Sequence, residues 1–190
     1  MTAQISDSFV FKEESYSLTG FTEEIDFHPE NYNISIKSVS SACWRGFVRE
    51  FSIENDELLI KNFNVNNAEV AVNFFQPIIN GIVPKRNKGK FNFFNKSYEN
   101  IDLKINYTGA ILIGKGFISE LYVHMGFHPA WKYETVYELT FEKGNLIAYI
   151  DLSEKLKEVR KEYKTQKKKT EESDISEWIK ETFNQKYTKG

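Results

Sequence analysis

Apolar and polar positions alternate in short runs along the first 150 residues, and a polar turn closes most of these runs. Phe9 to Leu18, FVFKEESYSL, fits a first hairpin with Glu13 and Glu14 near its turn. Cys43 to Val65 is the clearest hairpin. Trp44, Gly46, Val48 and Phe51 to Ile53 lead into Glu54-Asn55-Asp56-Glu57, where the Asn-Asp pair tolerates left-handed geometry, and Leu58, Ile60 and Phe63 return. Val136 to Ile150 repeats the arrangement around Lys143, Gly144 and Asn145, with Leu139, Phe141, Leu146 and Ala148 on or near the inward face. Between these units, Gly20 to Ser38 is polar and irregular, with Phe27, His28, Pro29 and Tyr32 as points that pin a loop to the body. Val70 to Phe75 suits a strand, Pro84 to Phe94 suits an exposed hairpin tip, and Ile101 to Ile105 resumes strand character.

The longest apolar run opens the stretch Tyr107 to Tyr137, which also holds two of the three histidines. Tyr107 to Ile113 reads as a buried strand, ended by Gly114 and Gly116. Phe117 to Met125 satisfies both a helical and a strand period, so its state stays open. Under either period Glu120 and His124 share a face, because a spacing of four suits both. Gly126 and Pro129 oppose a helix beyond Met125.

After Asp151 the period becomes helical. Leu152, Leu156, Val159 and Tyr163 form one narrow stripe, and Lys164 to Glu172 reads as a solvated, flexible linker. Asp174 with Glu177 resembles a capping box ahead of Ile175, Trp178, Ile179 and Phe183 on one face. The predicted organisation is therefore a mainly β body over 1–153, an antiparallel small barrel or sandwich, followed by a charged helical tail over 154–190. Ile175, Trp178, Ile179 and Phe183 are the candidate partner-binding residues, for another protein or for self-association.

Composition narrows the function classes more than it selects one. Of 190 residues, 41% are hydrophobic and 15% aromatic, enough for one substantial core. The single cysteine, Cys43, excludes an internal disulfide framework and a thiol-rich metal site, and fits a reducing compartment. The N-terminal run lacks a signal-peptide pattern and no stretch has the length of a membrane span, so a cytoplasmic location and no membrane partner are expected. Net charge is −2, which makes nucleic acid an unlikely partner. The charge is uneven: the tail carries 11 basic against 8 acidic side chains, the body 14 against 19.

Candidate chemistry is sparse. Glu120 and His124 are the catalytic candidates, since a carboxylate can orient and charge an imidazole, and His128 lies close in sequence. Tyr122, His128, Trp131 and Tyr133 are the candidate ligand-binding residues of an aromatic pocket. No HExxH order occurs, so no metal site is assigned, and Gly109, Gly114 and Gly116 lack phosphate-loop spacing, so no cofactor is assigned. Cys43 beside Arg45 has the composition of an activated thiolate, against the commoner role of a small buried hydrophobe. Lys85, Arg86, Lys88 and Lys90 interleaved with Phe91, Phe93 and Phe94 have the composition of a single-strand binding surface, which the acidic overall balance opposes.

The segment GFISELYVHMGFHPAWKY, Gly116 to Tyr133, together with ACWRGF, Ala42 to Phe47, resembles a group of small bacterial proteins of unassigned function. The resemblance implies a bacterial source and a body that occurs without the Lys-rich tail, and it carries no residue role. The first expectation is then a non-enzymatic protein-binding module, in the manner of bacterial immunity, inhibitor or defence-system accessory proteins. The alternative is an enzyme or small-ligand carrier with a pocket in the β body near Glu120 and His124.

Overall fold

Three two-residue loops set the register of the body. The computed structural model describes residues 2–68, 77–87, 93–166 and 185–187. Strands β1 (Ser8–Phe11) and β2 (Glu14–Phe21) are joined through Lys12 and Glu13, with φ of 51° and 63°. Strands β3 (Phe47–Glu54) and β4 (Glu57–Val65) are joined through Asn55 and Asp56, with φ of 51° and 64°. Positive φ at both loop residues is what a type I′ turn requires, and its twist matches that of the flanking strands. Two short strands follow, β5 (Lys85–Arg86) and β6 (Lys96–Tyr98), which pair with each other, then β7 (Leu103–Lys104) against β4. The long hairpin β8 (Gly109–Phe117) and β9 (Tyr133–Glu142) comes next, and β10 (Asn145–Asp151) returns through Lys143 and Gly144, again at positive φ.

The sheet runs β10-β9-β8-β2-β1-β3-β4-β6-β5, and Asn145 of β10 pairs with Glu57 of β4. That contact closes a ring of seven strands around the core without making it a regular barrel. The sheet is mixed because β1 and β3 run parallel, while its other strand pairs are antiparallel. Inside lie Phe9, Leu18, Phe51, Ile60, Phe63, Ile111, Ile113, Leu139 and Phe141, all essentially without exposed surface. The polar segment before β3 is pinned as expected: Phe27 and Pro29 are buried, and the Phe27 ring meets Phe63 at 5.1 Å. His28, by contrast, is exposed beside Asp26.

Among the described residues one helix follows the ring, α1 (Ser153–Gln166), so helical structure extends three residues into the stretch expected to be a linker. Its start is stitched to β9: the Leu152 N–H donates to the Val136 carbonyl at 2.8 Å and the Val136 N–H to Ser153 Oγ at 3.0 Å. Leu152 and Leu156 pack on Ala130, Tyr133 and Val136, a small second cluster on the outside of the sheet. Arg160 donates to the carbonyls of Trp131 and Tyr133. The chain returns at 185–187, where Gln185 and Tyr187 bond the backbone of Phe21 on β2. Val70 to Phe75, Lys88, Lys90 and Phe91, and the partner-binding candidates Ile175, Trp178, Ile179 and Phe183 lie outside the described residues.

Four expectations need correction. Strand β8 continues through Gly114 and Gly116 instead of ending there. Gly114 is needed because a Cβ would lie 2.6 Å from the Tyr133 ring, and Gly116 because its φ is +72°. Phe117 to Met125 is neither helix nor strand: Phe117 ends β8, a single 3-10 turn covers Ser119–Leu121, and irregular chain follows. Ala148 is exposed, because a bulge between Leu146 and Ala148 shifts the pairing with β9 and so changes which side chains face inward. The first residues of the second hairpin, Cys43 to Gly46, form a turn ahead of β3 and not strand.

Candidate functional site

The connection from Ile118 to Lys132 between β8 and β9 carries most of the expected site residues. It is closed at its neck by the Ile118 N–H donating to the Lys132 carbonyl at 2.9 Å. Its far side is tied to the N-terminal segment, where the Gln4 N–H donates to the Gly126 carbonyl at 2.7 Å. Within it the rings gather. His128 lies 4.6 Å from the Phe117 ring and 5.2 Å from Tyr122, Tyr122 meets His124 at 4.8 Å, and Phe117 meets Tyr133 at 5.4 Å. Three of the four ligand-binding candidates, Tyr122, His128 and Tyr133, are thus brought together around Phe117, which the sequence reading did not single out for a site. The fourth, Trp131, is fixed at the helix side, its carbonyl accepting from Arg160 and its ring 5.5 Å from the Lys132 ammonium.

The catalytic candidates do not form a pair. Glu120 and His124 are both exposed, and neither makes a hydrogen bond or ion pair among the described residues. A shared face by period was the argument for joining them, and with no regular element through 117–125 that argument has no structural basis. His128 is the unusual group. It is 8% exposed and neither ring nitrogen has a hydrogen-bond partner. Burial first, and the Lys132 charge second, push its pKa down to about 4, so the ring is neutral at pH 7.

A second polar centre lies at the start of β1, and the sequence reading missed its acid. The Asp7 carboxylate has no exposed surface and receives five hydrogen bonds: two from Arg45 at 2.7 and 3.0 Å, two from the Arg49 guanidinium at 2.8 and 3.0 Å, and one from the Arg49 N–H at 2.7 Å. Burial alone would raise its pKa; the charges of Arg49 and Arg45 outweigh that and hold it below the ordinary carboxylate value. Arg45 is therefore occupied with Asp7. Cys43 is buried, burial raises its thiol pKa against the opposing pull of Arg45, and its sulfur bonds the Phe47 carbonyl, which is the environment of a structural cysteine and not of a nucleophile.

Two surface features had no sequence signal. Along β10, pairing to β4 among the described residues stops at Asn145, and beyond it Ile147, Tyr149 and Ile150 are each about half exposed, at 59%, 49% and 50%. The bulge at Leu146/Ala148 is what turns Ile147 outward, and bulge positions are not written in hydrophobic alternation. On the outer face of β8, β9 and β10, beside the residues that follow β2, there is also a cleft of about 590 Å³, with Tyr187 on one side. The basic and aromatic stretch expected near Lys85 is partly neutralised, since Lys85 pairs with Glu99, while Phe93 is exposed.

No helix among the described residues is long and apolar enough to cross a membrane, and no group of three or more His, Cys, Asp or Glu among them is placed to hold a metal ion. Comparison with protein-family models, with curated proteins and with solved structures returned no match.

Proposed function

We propose that this is a non-enzymatic protein-binding module whose partner adds an extended segment to the outer edge of β10. The observation that carries this reading is the edge itself. An unpaired strand edge offers a row of backbone donors and acceptors, and natural proteins normally blunt such edges with charge, proline or a cover. Here the strand's own side chains from Ile147 to Ile150 are apolar and Asp151 is its first charged residue, while the Lys12 ammonium lies 4.1 Å from the Tyr149 ring and leaves Ile147 and Ile150 as the open apolar positions. Strand addition takes affinity from main-chain hydrogen bonds and specificity from alternate side chains, so a β-branched, alternating partner segment suits it. The alternative, a catalytic or ligand site at Glu120 and His124, has less support, since both side chains are exposed and no hydrogen bond or ion pair joins them among the described residues.

Selection of peptides from a random displayed library against the full chain tests the reading. The expected result is enrichment of alternating apolar peptides that shift the backbone amide signals of residues 147–151 and lose at least tenfold in affinity to Ile150→Lys, corresponding to about 1.4 kcal/mol. Ile150 is half exposed, so this variant keeps the fold. Selected peptides that bind elsewhere, or that ignore Ile150→Lys, would count against strand addition.

A further inference from the structure

The cleft on the outer face of the sheet is a second site, and it does not depend on the edge reading. Its floor follows from strand alternation: Ala110 pairs with Thr140 while the next pair, Ile111 and Leu139, faces the core. Ile147, turned outward by the bulge in β10, forms one wall, and Tyr187 forms another. Tyr187 is anchored there by its hydroxyl, which donates to the Glu138 carboxylate at 3.0 Å, and by its N–H, which donates to the Phe21 carbonyl. The volume of about 590 Å³ is in the range of small-ligand pockets.

The polar groups around this cleft are one-sided. Thr22 Oγ1 already accepts from the Ala110 N–H, and Thr108 Oγ1 from the Lys143 N–H, both at 2.9 Å. Glu23 and Glu142 also line the cleft, and neither carboxylate makes an ion pair or hydrogen bond among the described residues. No lysine, arginine or histidine is among the described residues that line it. Two unmatched negative charges beside an apolar floor attract a cation and repel an anion, and the apolar wall adds affinity only for a ligand with a hydrocarbon body. From this complementarity we infer that the cleft binds an amphipathic organic cation, a primary ammonium or guanidinium carried on an aromatic or aliphatic group.

The test uses three probes of one shape on the full chain: 2-phenylethylamine, 2-phenylethanol and phenylacetate, each titrated while backbone amide signals are followed. The expected result is saturable binding of the amine with shifts centred on Ala110, Thr140 and Ile147. The alcohol should bind about threefold to tenfold more weakly, as loss of rim charge pairing implies, and phenylacetate should not saturate. Glu23→Gln with Glu142→Gln should bring amine and alcohol to equal affinity, and Thr140→Trp, which sets an indole on the cleft floor, should weaken binding of both. Both glutamates are exposed, so the glutamine variants keep the fold even if the tryptophan variant does not. The inference is overturned if no probe saturates at up to about 1 mM, if phenylacetate binds as well as the amine, or if the preference for the amine survives the double glutamine change.

Discussion

Two buried polar centres of this molecule, at Asp7 and at His128, are held by opposite means. At Asp7 a carboxylate with no exposed surface receives five hydrogen bonds from two arginines. At His128 an imidazole almost as deeply buried receives none, and its neighbours are the rings of Phe117 and Tyr122. The first centre joins β1 to β3 by charge and directed bonds; the second is held by shape alone. The difference shows that burial of a polar group sets no single outcome. An ion is stabilised where the surrounding chain supplies its partners, whereas an ionisable base without partners is kept neutral.

The largest expected effect comes from breaking the saturated centre. Asp7→Ala leaves the Arg49 guanidinium, 9% exposed, and most of Arg45 without a counter-charge, and such a loss typically costs about 3 to 5 kcal/mol. Chemical denaturation of the variant should show that loss at pH 7. Asp7→Asn keeps the shape and some acceptor capacity but not the charge, so it should fall between the variant and the parent. A change under about 1 kcal/mol for Asp7→Ala would show that solvent replaces the carboxylate, and that the centre is less closed than its geometry states.

The unsatisfied centre should be visible in the pH dependence instead. An unfolded histidine takes up its proton near pH 6.5, whereas His128 in the fold does so near 4. Below pH 6.5 the unfolded chain therefore binds more protons than the native one, so stability is full above pH 6.5 and falls progressively towards pH 4, by up to about 3 kcal/mol. Asp7, whose folded pKa is depressed, contributes in a separate and lower window: its stabilisation is present above the ordinary carboxylate value and is lost as pH falls through the folded one. His128→Phe should remove the first loss and leave the second. If the variant and the parent lose stability equally between pH 6.5 and 4, His128 is not the group that titrates there.

The hairpins were legible because their signals are local. Asn55-Asp56 and Lys143-Gly144 mark their own turns, and the strands beside them alternate except at the bulges by Glu50/Phe51 and Leu146/Ala148. The parallel pairing of β1 with β3 was not legible, since nothing in Phe9 or Phe51 names its neighbour 42 positions away. The same holds for the first polar centre: Asp7 stands two residues ahead of Phe9, where the first hairpin was expected to begin, and only the fold brings it to Arg45 and Arg49. At the loop the difficulty was of another kind. Phe117 to Met125 fitted two periods because it belongs to neither element, and the pairing of Glu120 with His124 followed from that mistaken premise. Tyr122, His128 and Tyr133 did come together, but through ring packing with Phe117, a residue that entered the sequence pattern only as the start of the stretch with two periods. The cleft owes its wall to a bulge in β10, and a one-residue slip in register leaves no trace in composition.

The smallest of the expected effects tests whether shape alone holds the loop side of the ring. Gly114 lies mid-strand in β8, where a side chain is ordinarily favoured over glycine by about 0.5 to 1 kcal/mol. Its φ is not in the left-handed region, so the backbone itself accepts alanine. What forbids alanine is Tyr133, whose ring would stand 2.6 Å from the new Cβ. Gly114→Ala should therefore destabilise the protein by about 1 to 3 kcal/mol, because Tyr133 is packed against Phe117 and cannot withdraw freely. Tyr133→Ala should also destabilise, by loss of that packing. Combined, the two changes should not add: with the ring gone, alanine at 114 regains its ordinary advantage and becomes stabilising by a few tenths to about 1 kcal/mol. A reversal of sign between the two backgrounds, read by denaturant melts of the four proteins, assigns the glycine to steric fit with Tyr133. A penalty that persists without the ring would instead place the requirement in the backbone of β8, and the loop side would then be held by strand geometry and not by the aromatic packing around His128.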